Sequence, residues 1–415
     1  MRSERPTRAF LLLLLLPMLL ESLPARAEST ADGYVRTYVG VLANENMDFA
    51  IMQNTLDLRL RHTGSHGAFL ANPTLYHYDD NRLELDLRQA YVDLYFSWMD
   101  LRVGRQQVVW GKADGVFITD VVSPKDLREF LLPDFEEIRL GVTAVKADFY
   151  IGEHTMELIW VPVFTATGMP ALGSMWRPAI TMPAGAMLDT SRQDVPLALE
   201  NSELFARYSV MSSWGDLEVV GAWMWDDDPA MQRKVTMDAE SGQPSMTITP
   251  EHHRLPMGGL SFSTDAGPFV LKTEAAYYHN KMFQTVAPSD SDGLVEKSYL
   301  HWMVGATVKL WEINTGLQYI QRAVIDHDKS QIAEQFDHTV TAQLSMDLLR
   351  ETLHLSLFSY IGIEPWNALV RPTLSYDFPG GIQALVGANL FFGDEGTFGQ
   401  FDSNDMVYAK LKYSF

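Results

Sequence analysis

The chain ends in VYAKLKYSF, in which Val407, Ala409, Leu411, Tyr413 and Phe415 share one parity. Tyr408, Lys410, Lys412 and Ser414 share the other. A period of two is the signature of a β-strand with one apolar face. The last residues of a domain are usually loose unless something ties them down. A strand that runs to the final residue therefore predicts a closed sheet, in which the last strand pairs with the first.

The same alternation recurs along the chain. Leu300, Trp302, Val304, Ala306, Val308 and Leu310 oppose His301, Met303, Gly305, Thr307 and Lys309. Phe336, Val340, Ala342, Leu344 and Met346 oppose Asp337, Thr339, Thr341, Gln343 and Ser345. Ile382, Ala384, Val386, Ala388, Leu390 and Phe392 form one face of another run. Such runs exceed the usual length of soluble strands and match the roughly 9–11 tilted residues that cross a bilayer. Charges sit on one face, and Trp, Tyr and Phe close the ends of the other, as lumen and interfacial girdles require.

Spacers alternate between tight and long. Turns are expected near 97–100, 151–154, 213–216, 264–268, 310–313, 347–351 and 378–381. Long loops are expected near 111–136, 164–200, 226–250, 283–297, 326–334 and 393–404. The reading is an all-β fold: a transmembrane antiparallel barrel with short periplasmic turns and long extracellular loops. Counting from Gly33 to Phe415 gives 18 strands, with 16 the alternative because the first stretch is less regular.

The amino-terminal end reads as an export signal. Arg2, Arg5 and Arg8 precede an apolar run over residues 9–20, and Ala25-Arg26-Ala27 offers a cleavage site. The expected domains are a cleaved signal peptide, 1–27, and a single barrel, 28–415, in the outer membrane of a Gram-negative cell. No cysteine is present, so no disulfide framework exists. The formal net charge is −21 and becomes more negative once the leader's basic residues are removed. That balance argues against nucleic acid as a partner and points toward a lumen that prefers cations. The eleven His are scattered, and neither H-E-x-x-H nor G-x-S-x-G occurs, so no enzyme, metal or cofactor is expected.

Residues 82–163 are the most distinctive. Leu83, Leu85 and Leu87 face opposite Glu84, Asp86 and Arg88, but from residue 90 the apolar set is Ala90, Val92, Leu94 and Phe96. The slip predicts a β-bulge between 88 and 90. A second bulge is expected at Gly104, because otherwise Arg105 would face hydrocarbon. Arg105 and Gln107 then join Arg102 and Arg88 in a lumen wall among Glu84, Asp86 and Asp93. The loop that follows carries a helix start: Ser123 as N-cap, Pro124 at the first position, Asp126 completing the box. Leu127, Phe130 and Leu131 form an apolar stripe that needs a surface to pack on. Such a loop is expected to fold into the barrel and set its narrowest point. Its Asp114, Asp120, Asp126, Asp134, Glu136 and Glu137 would face the Arg88, Arg102 and Arg105 wall.

The stretch VGRQQVVWGKADGVFITDVVSPKD resembles a large family of outer-membrane proteins of unknown function. The resemblance rests on Gly104, Arg105, Gln106, Trp110, Gly111, Pro124 and Asp126, with Ser123 where that family usually has Asn. More distantly the layout resembles general porins and alginate-export barrels. The ending Tyr413-x-Phe415 resembles the carboxy-terminal signature read by the barrel-assembly machinery. The resemblance implies a porin-like barrel, with outer-membrane lipid, lipopolysaccharide and that machinery as partners. The functional expectation is passive diffusion of small solutes. One alternative is a conduit for hydrophobic compounds working with an inner-membrane exporter, favoured by the Met- and Pro-rich 164–200 segment. The other is a closed structural or adhesive barrel.

Overall fold

Alternation commits each run to one watery and one apolar face, and only a closed sheet satisfies both faces and all backbone groups in lipid. In the computed structural model, 18 strands form one antiparallel sheet that closes on itself. The structure describes residues 28–415 apart from 45, 172, 179–185, 238–243, 286 and 288–289. The expected signal peptide, 1–27, lies outside the described residues, as does part of the 164–200 segment.

The first strands are β1 (Glu28–Leu42), β2 (Phe49–Gly64), β3 (Gly67–Tyr78), β4 (Leu83–Tyr95), β5 (Met99–Gln106), β6 (Val142–Ile151) and β7 (His154–Val161). After the two-residue β8 (Met187–Leu188) come β9 (Glu203–Ser212) and β10 (Gly215–Trp223). The stretch expected as a loop, 226–250, carries most of a hairpin, β11 (Ala230–Met237) and β12 (Pro244–Glu251), which pairs with β8 in a small separate sheet. The barrel resumes with β13 (Met257–Ala266), β14 (Phe269–Gln284), β15 (Leu294–Leu310) and β16 (Ile313–Val324). It ends with β17 (Phe336–Leu348), β18 (Leu353–Gly362), β19 (Asn367–Phe378), β20 (Ile382–Phe392) and β21 (Met406–Ser414). Each barrel strand pairs with its neighbours in chain order, and β21 pairs with β1 from Tyr34↔Ser414 to Leu42↔Met406.

The faces are inverted relative to a water-soluble protein. Leu85 and Leu317 on the outside are 71% and 57% exposed, whereas Thr74 and Glu274 on the inside are 0% and 1% exposed. Trp98, Tyr150, Trp214, Trp311, Phe378 and Tyr413 all lie exposed at the short-turn end of their strands. That arrangement is an aromatic girdle at the level of a membrane interface.

One expected bulge is present and the other is not. The β3–β4 register shifts at Asn72/Pro73, so that Asn72 faces Gln89 and Pro73 faces Leu87, leaving Arg88 as the extra residue. Pro73 has no N–H to give the ladder, which places the irregularity there. Across Gly104 the pairing runs unbroken to both β4 and β6. Gly104 instead adopts φ +134°. A Cβ there would strike the Ala90 carbonyl, so only glycine fits the close approach to β4.

The expected helix at 123–131 does not form, which corrects the reading of a helix-bearing loop. The Ser123 hydroxyl accepts the N–H of Val108 at 2.8 Å rather than capping a helix. The carbonyls of Pro124 and Lys125 accept Leu140 and Gly168 N–H groups, and the N–H groups of Asp126 and Leu127 bond to Ile138 and Gly168. With those groups committed to non-local partners, the turn-to-turn bonds of a helix cannot start. Phe130, at φ +54°, turns the chain away.

Candidate functional site

The loop joining β5 to β6, residues 107–141, folds into the lumen and reaches walls on every side. Its first half is held by β14. The buried carboxylate of Glu274 accepts the N–H groups of Lys112, Ala113 and Thr119 at 2.7, 3.0 and 2.6 Å, and the Thr119 hydroxyl at 2.7 Å. Gly111, at φ +82°, makes this clasp possible, since a Cβ would sit 2.6 Å from the Glu274 carboxylate. Asp114 pairs with Lys272 at 2.8 Å and exchanges backbone hydrogen bonds with the Gln318 amide on β16. Tyr278 donates to the Ile118 carbonyl and Tyr360 to that of Gly115.

The second half crosses to the opposite wall. Arg371 on β19 donates to the Leu131 and Leu132 carbonyls at 3.0 and 2.7 Å. Lys410 on β21 pairs with Asp134 at 3.2 Å, and Arg36 on β1 grips Glu137 with two hydrogen bonds of 2.9 and 3.2 Å. Arg88 donates to the Glu136 carbonyl at 3.2 Å. Within the loop, Asp120 and Arg139 form a buried pair at 2.6 Å, and Asp120 also accepts the Trp110 N–H. Burial pushes the Asp120 carboxyl above its usual range against the pull of Arg139. Burial acts on Asp134 too, but Lys410 and Arg36 outweigh it and hold that carboxyl below the usual range.

Two apolar clusters glue the loop in place. Trp110, Ile118 and Val122 pack with Phe205, Met257, Tyr278 and Met303 of the β9–β15 wall. Phe130 and Leu132 pack with Trp176, Phe391, Phe398 and Phe401, which brings the Met- and Pro-rich segment after β7 into the lumen as well. Trp176 is thereby buried, and the apolar character of that described part of the segment is used internally.

What remains open lies between the loop and the β1–β3 and β21 wall. There a cavity of about 400 Å³ is lined by Arg36, Arg82, Arg128 and Lys410, by Asp126, Glu129 and Glu137, and by Tyr38, Tyr76 and Tyr78 among others. A second space of about 250 Å³ lies beside Asp114, Phe135, Tyr360 and Arg371. Charged loop carboxylates thus face basic wall residues, but the wall is Arg36 and Lys410 rather than the expected Arg88, Arg102 and Arg105 trio. Arg88 lies beside it, 3.9 Å from both Asp57 and Glu137. Arg102 pairs with Asp93 at 2.7 Å, and Arg105 donates to the Leu87 carbonyl and stands 4.0 Å from Asp86. None of these three arginines lines either space. Glu84 meets the cavity indirectly, through Arg128 at 2.7 Å. Gln107 donates to the Arg139 carbonyl, Gln106 is buried and donates to that of Ala144, and Trp110 donates to Glu157 at 2.6 Å. These residues hold the loop's root rather than the passage.

Sequence reading missed Arg36, Arg128, Glu129, Glu274, Gln318, Arg371 and Lys410. Their signal was the inward parity of strands far from residues 82–163, and for Glu274 a lone acid between small and aromatic neighbours. Among the described residues no group of His, Asp or Glu is placed to hold a metal ion, and Asp226, of the 226–228 acid run, pairs with Lys281.

An 18-stranded up-and-down barrel with a loop drawn into its lumen defines a porin-like outer-membrane fold. The chain belongs to the family described as protein of unknown function (DUF1302), whose model matches residues 40–346. No curated protein matches the chain in sequence. In structure it is similar to Pseudomonas aeruginosa OccK2 (OpdF), at 11% identity and a TM-score of 0.54, covering 94% of this chain and 97% of that one. It is similar also to Pseudomonas aeruginosa OpdL, at 12% identity and 0.55, covering 94% and 99%. For Acinetobacter baumannii OccAB3 the values are 10%, 0.54, 94% and 99%.

Proposed function

We propose that this protein is an outer-membrane channel for passive diffusion of small polar solutes. The observation that carries the reading is the charged cavity of about 400 Å³ left between the inward loop and the β1–β3 and β21 wall. Opposed charges across a narrow opening orient polar solutes and exclude apolar ones. Two barrels of similar fold were crystallised with small carboxylated compounds, OccK2 with glucuronate and OpdK with vanillate. Compounds of that size and polarity are the first solutes to try here. The polar lining supports this reading over a conduit for hydrophobic compounds, and the unfilled space supports it over a closed barrel.

Delivery follows the same reading. Residues 1–27 serve as a cleaved export signal, the barrel-assembly machinery reads the Tyr413-x-Phe415 ending, and outer-membrane lipid and lipopolysaccharide surround the apolar belt. The role is transport, not catalysis. The overall negative charge favours cations only weakly, because the cavity itself carries four basic side chains against three acidic ones.

Single-channel recording of refolded protein in a planar bilayer tests the proposal. Stable ohmic steps are expected. Protein that shows the heat-modifiable gel mobility of a folded barrel yet passes no current would sink it.

A further inference from the structure

Every cation that lines the cavity already has a carboxylate. Arg36 holds Glu137 at 2.9 Å, and Arg128 holds Asp126 at 2.6 Å and Glu84 at 2.7 Å. Arg82 stands 3.5 Å from Glu84, and Lys410 is 3.2 Å from Asp134. Of the three carboxylates in the lining, Asp126 and Glu137 are consumed in these pairs. Glu129 is not: among the described residues its carboxylate has neither an ion pair nor a hydrogen bond. Its position is nonetheless fixed. The Glu129 carbonyl accepts the Leu132 N–H, and the next residue, Phe130, is anchored by rings of Phe391, Phe398 and Phe401 within 6.2 Å.

We propose that Glu129 is the selectivity-determining residue of the passage, the one carboxylate in the described cavity lining that no cation pairs with and that a permeating ion therefore meets. The assignment rests on the channel reading above and supplies what net charge could not: a single group from which cation preference arises. An unpaired carboxylate in a confined, partly dehydrated opening dominates the local potential, whereas paired charges largely cancel.

The geometry also makes that charge sensitive to pH near neutrality. Arg36 of β1, Lys410 of β21, and Arg128 and Asp126 of its own segment act on Glu129, and Arg82 of the β3–β4 turn shares the cavity. Glu137 and the tyrosines Tyr38, Tyr76 and Tyr78 share the lining, and among the described residues the segment after β7 adds uncharged Met169, Ala171 and Ser174. Burial, reinforced by Asp126, pushes the Glu129 carboxyl up to about 7, with Arg36, Lys410 and Arg128 opposing. Above that pH the group is ionised and the passage prefers cations. Below it the group is neutral and the preference fades.

The test is the reversal potential of the full mature chain in a planar bilayer under a KCl gradient, at pH 8.5 and 5.5, for wild type and Glu129→Gln. The wild type is expected to lose at least about half of its cation-over-anion permeability ratio on acidification. Glu129→Gln is expected to conduct with a ratio near one at both pH values. Wild-type protein whose ratio does not change with pH, or a conducting Glu129→Gln that keeps the wild-type ratio, overturns the assignment and leaves the channel reading intact. Folded wild-type protein that passes no current at either pH overturns the channel reading, and the assignment with it.

Discussion

Glu274 and Thr119 stand 155 residues apart, yet the Glu274 carboxylate accepts both the backbone N–H and the hydroxyl of Thr119, at 2.6 and 2.7 Å. The same carboxylate takes the N–H groups of Lys112 and Ala113, so one buried side chain of the barrel wall holds two turns of the inward loop. Glu274→Ala orphans these donors, each at about 1–3 kcal/mol. The loop should pull away from β14 while the barrel remains closed. The expected outcome is larger single-channel conductance with rapid gating noise. Traces that match wild type would show that the clasp does not set the opening.

Gly111 gives the same clasp a second test. At φ +82°, with a Cβ that would sit 2.6 Å from the Glu274 carboxylate and 2.9 Å from the Thr119 hydroxyl, the site admits no side chain without movement. Gly111→Ala adds backbone strain of about 1–2 kcal/mol and the loss of the clasp. Trypsin should then cut the folded barrel within 107–141, at Lys125 or Arg128, faster than wild type. Equal cutting rates would mean that the loop tolerates the extra atom.

Arg36 and Arg105 separate the passage seen in the structure from the one expected from sequence. Arg36 lines the cavity and is paired with Glu137, with side-chain exposures of 7% and 21%. Arg36→Ala leaves Glu137 uncompensated, weakens the fold by about 3 kcal/mol and widens the opening. Conductance and cation preference should both rise. Arg105→Ala should leave both unchanged, because Arg105 spends its donors on the Leu87 carbonyl and Asp86, away from the opening. Paired reversal-potential measurements decide the matter, and the reverse ranking would restore the Arg105 wall.

The barrel was legible because strand parity is a local property. Val407, Leu411 and Tyr413 alternate with Lys410 and Lys412 whatever lies elsewhere, and lipid on one side with water on the other leaves no freedom to slip. The tight turns could be read for the same reason, whereas the loop expected at 226–250 hid the β11–β12 hairpin. The bulge at Arg88 showed as a break in that parity, and it lies opposite Pro73. Two features were not local. The Ser123-Pro124-x-Asp126 pattern is a sound helix start on its own, but Val108, Leu140 and Gly168 claim its polar groups from elsewhere in the chain. The lining of the passage depends on which inward-facing residues of β1 and β21 the loop reaches, and that is fixed only when those strands close the ring next to β2. Sequence reading therefore singled out the loop, whereas the basic side chains beside its cavity are Arg36, Arg82, Arg128 and Lys410.

The closing seam yields a prediction that separates folding from assembly. Gly33 and Phe415 exchange two backbone hydrogen bonds, both 3.0 Å, at the end of the β1–β21 ladder, and the Phe415 ring lies outside, 6.2 Å from that of Tyr413. Phe415→Ala keeps the backbone pair and removes only an exposed ring. The eight central pairs between Val35↔Tyr413 and Leu42↔Met406 are untouched. Refolding into detergent or lipid should therefore proceed as in wild type, with a stability change within about 1 kcal/mol. Membrane yield in cells should nevertheless fall several-fold if the terminal aromatic is read during insertion. Heat-modifiable gel mobility measures both quantities on one variant. Parallel losses in cells and in vitro would assign Phe415 to stability, and undiminished yield in cells would remove it from recognition altogether.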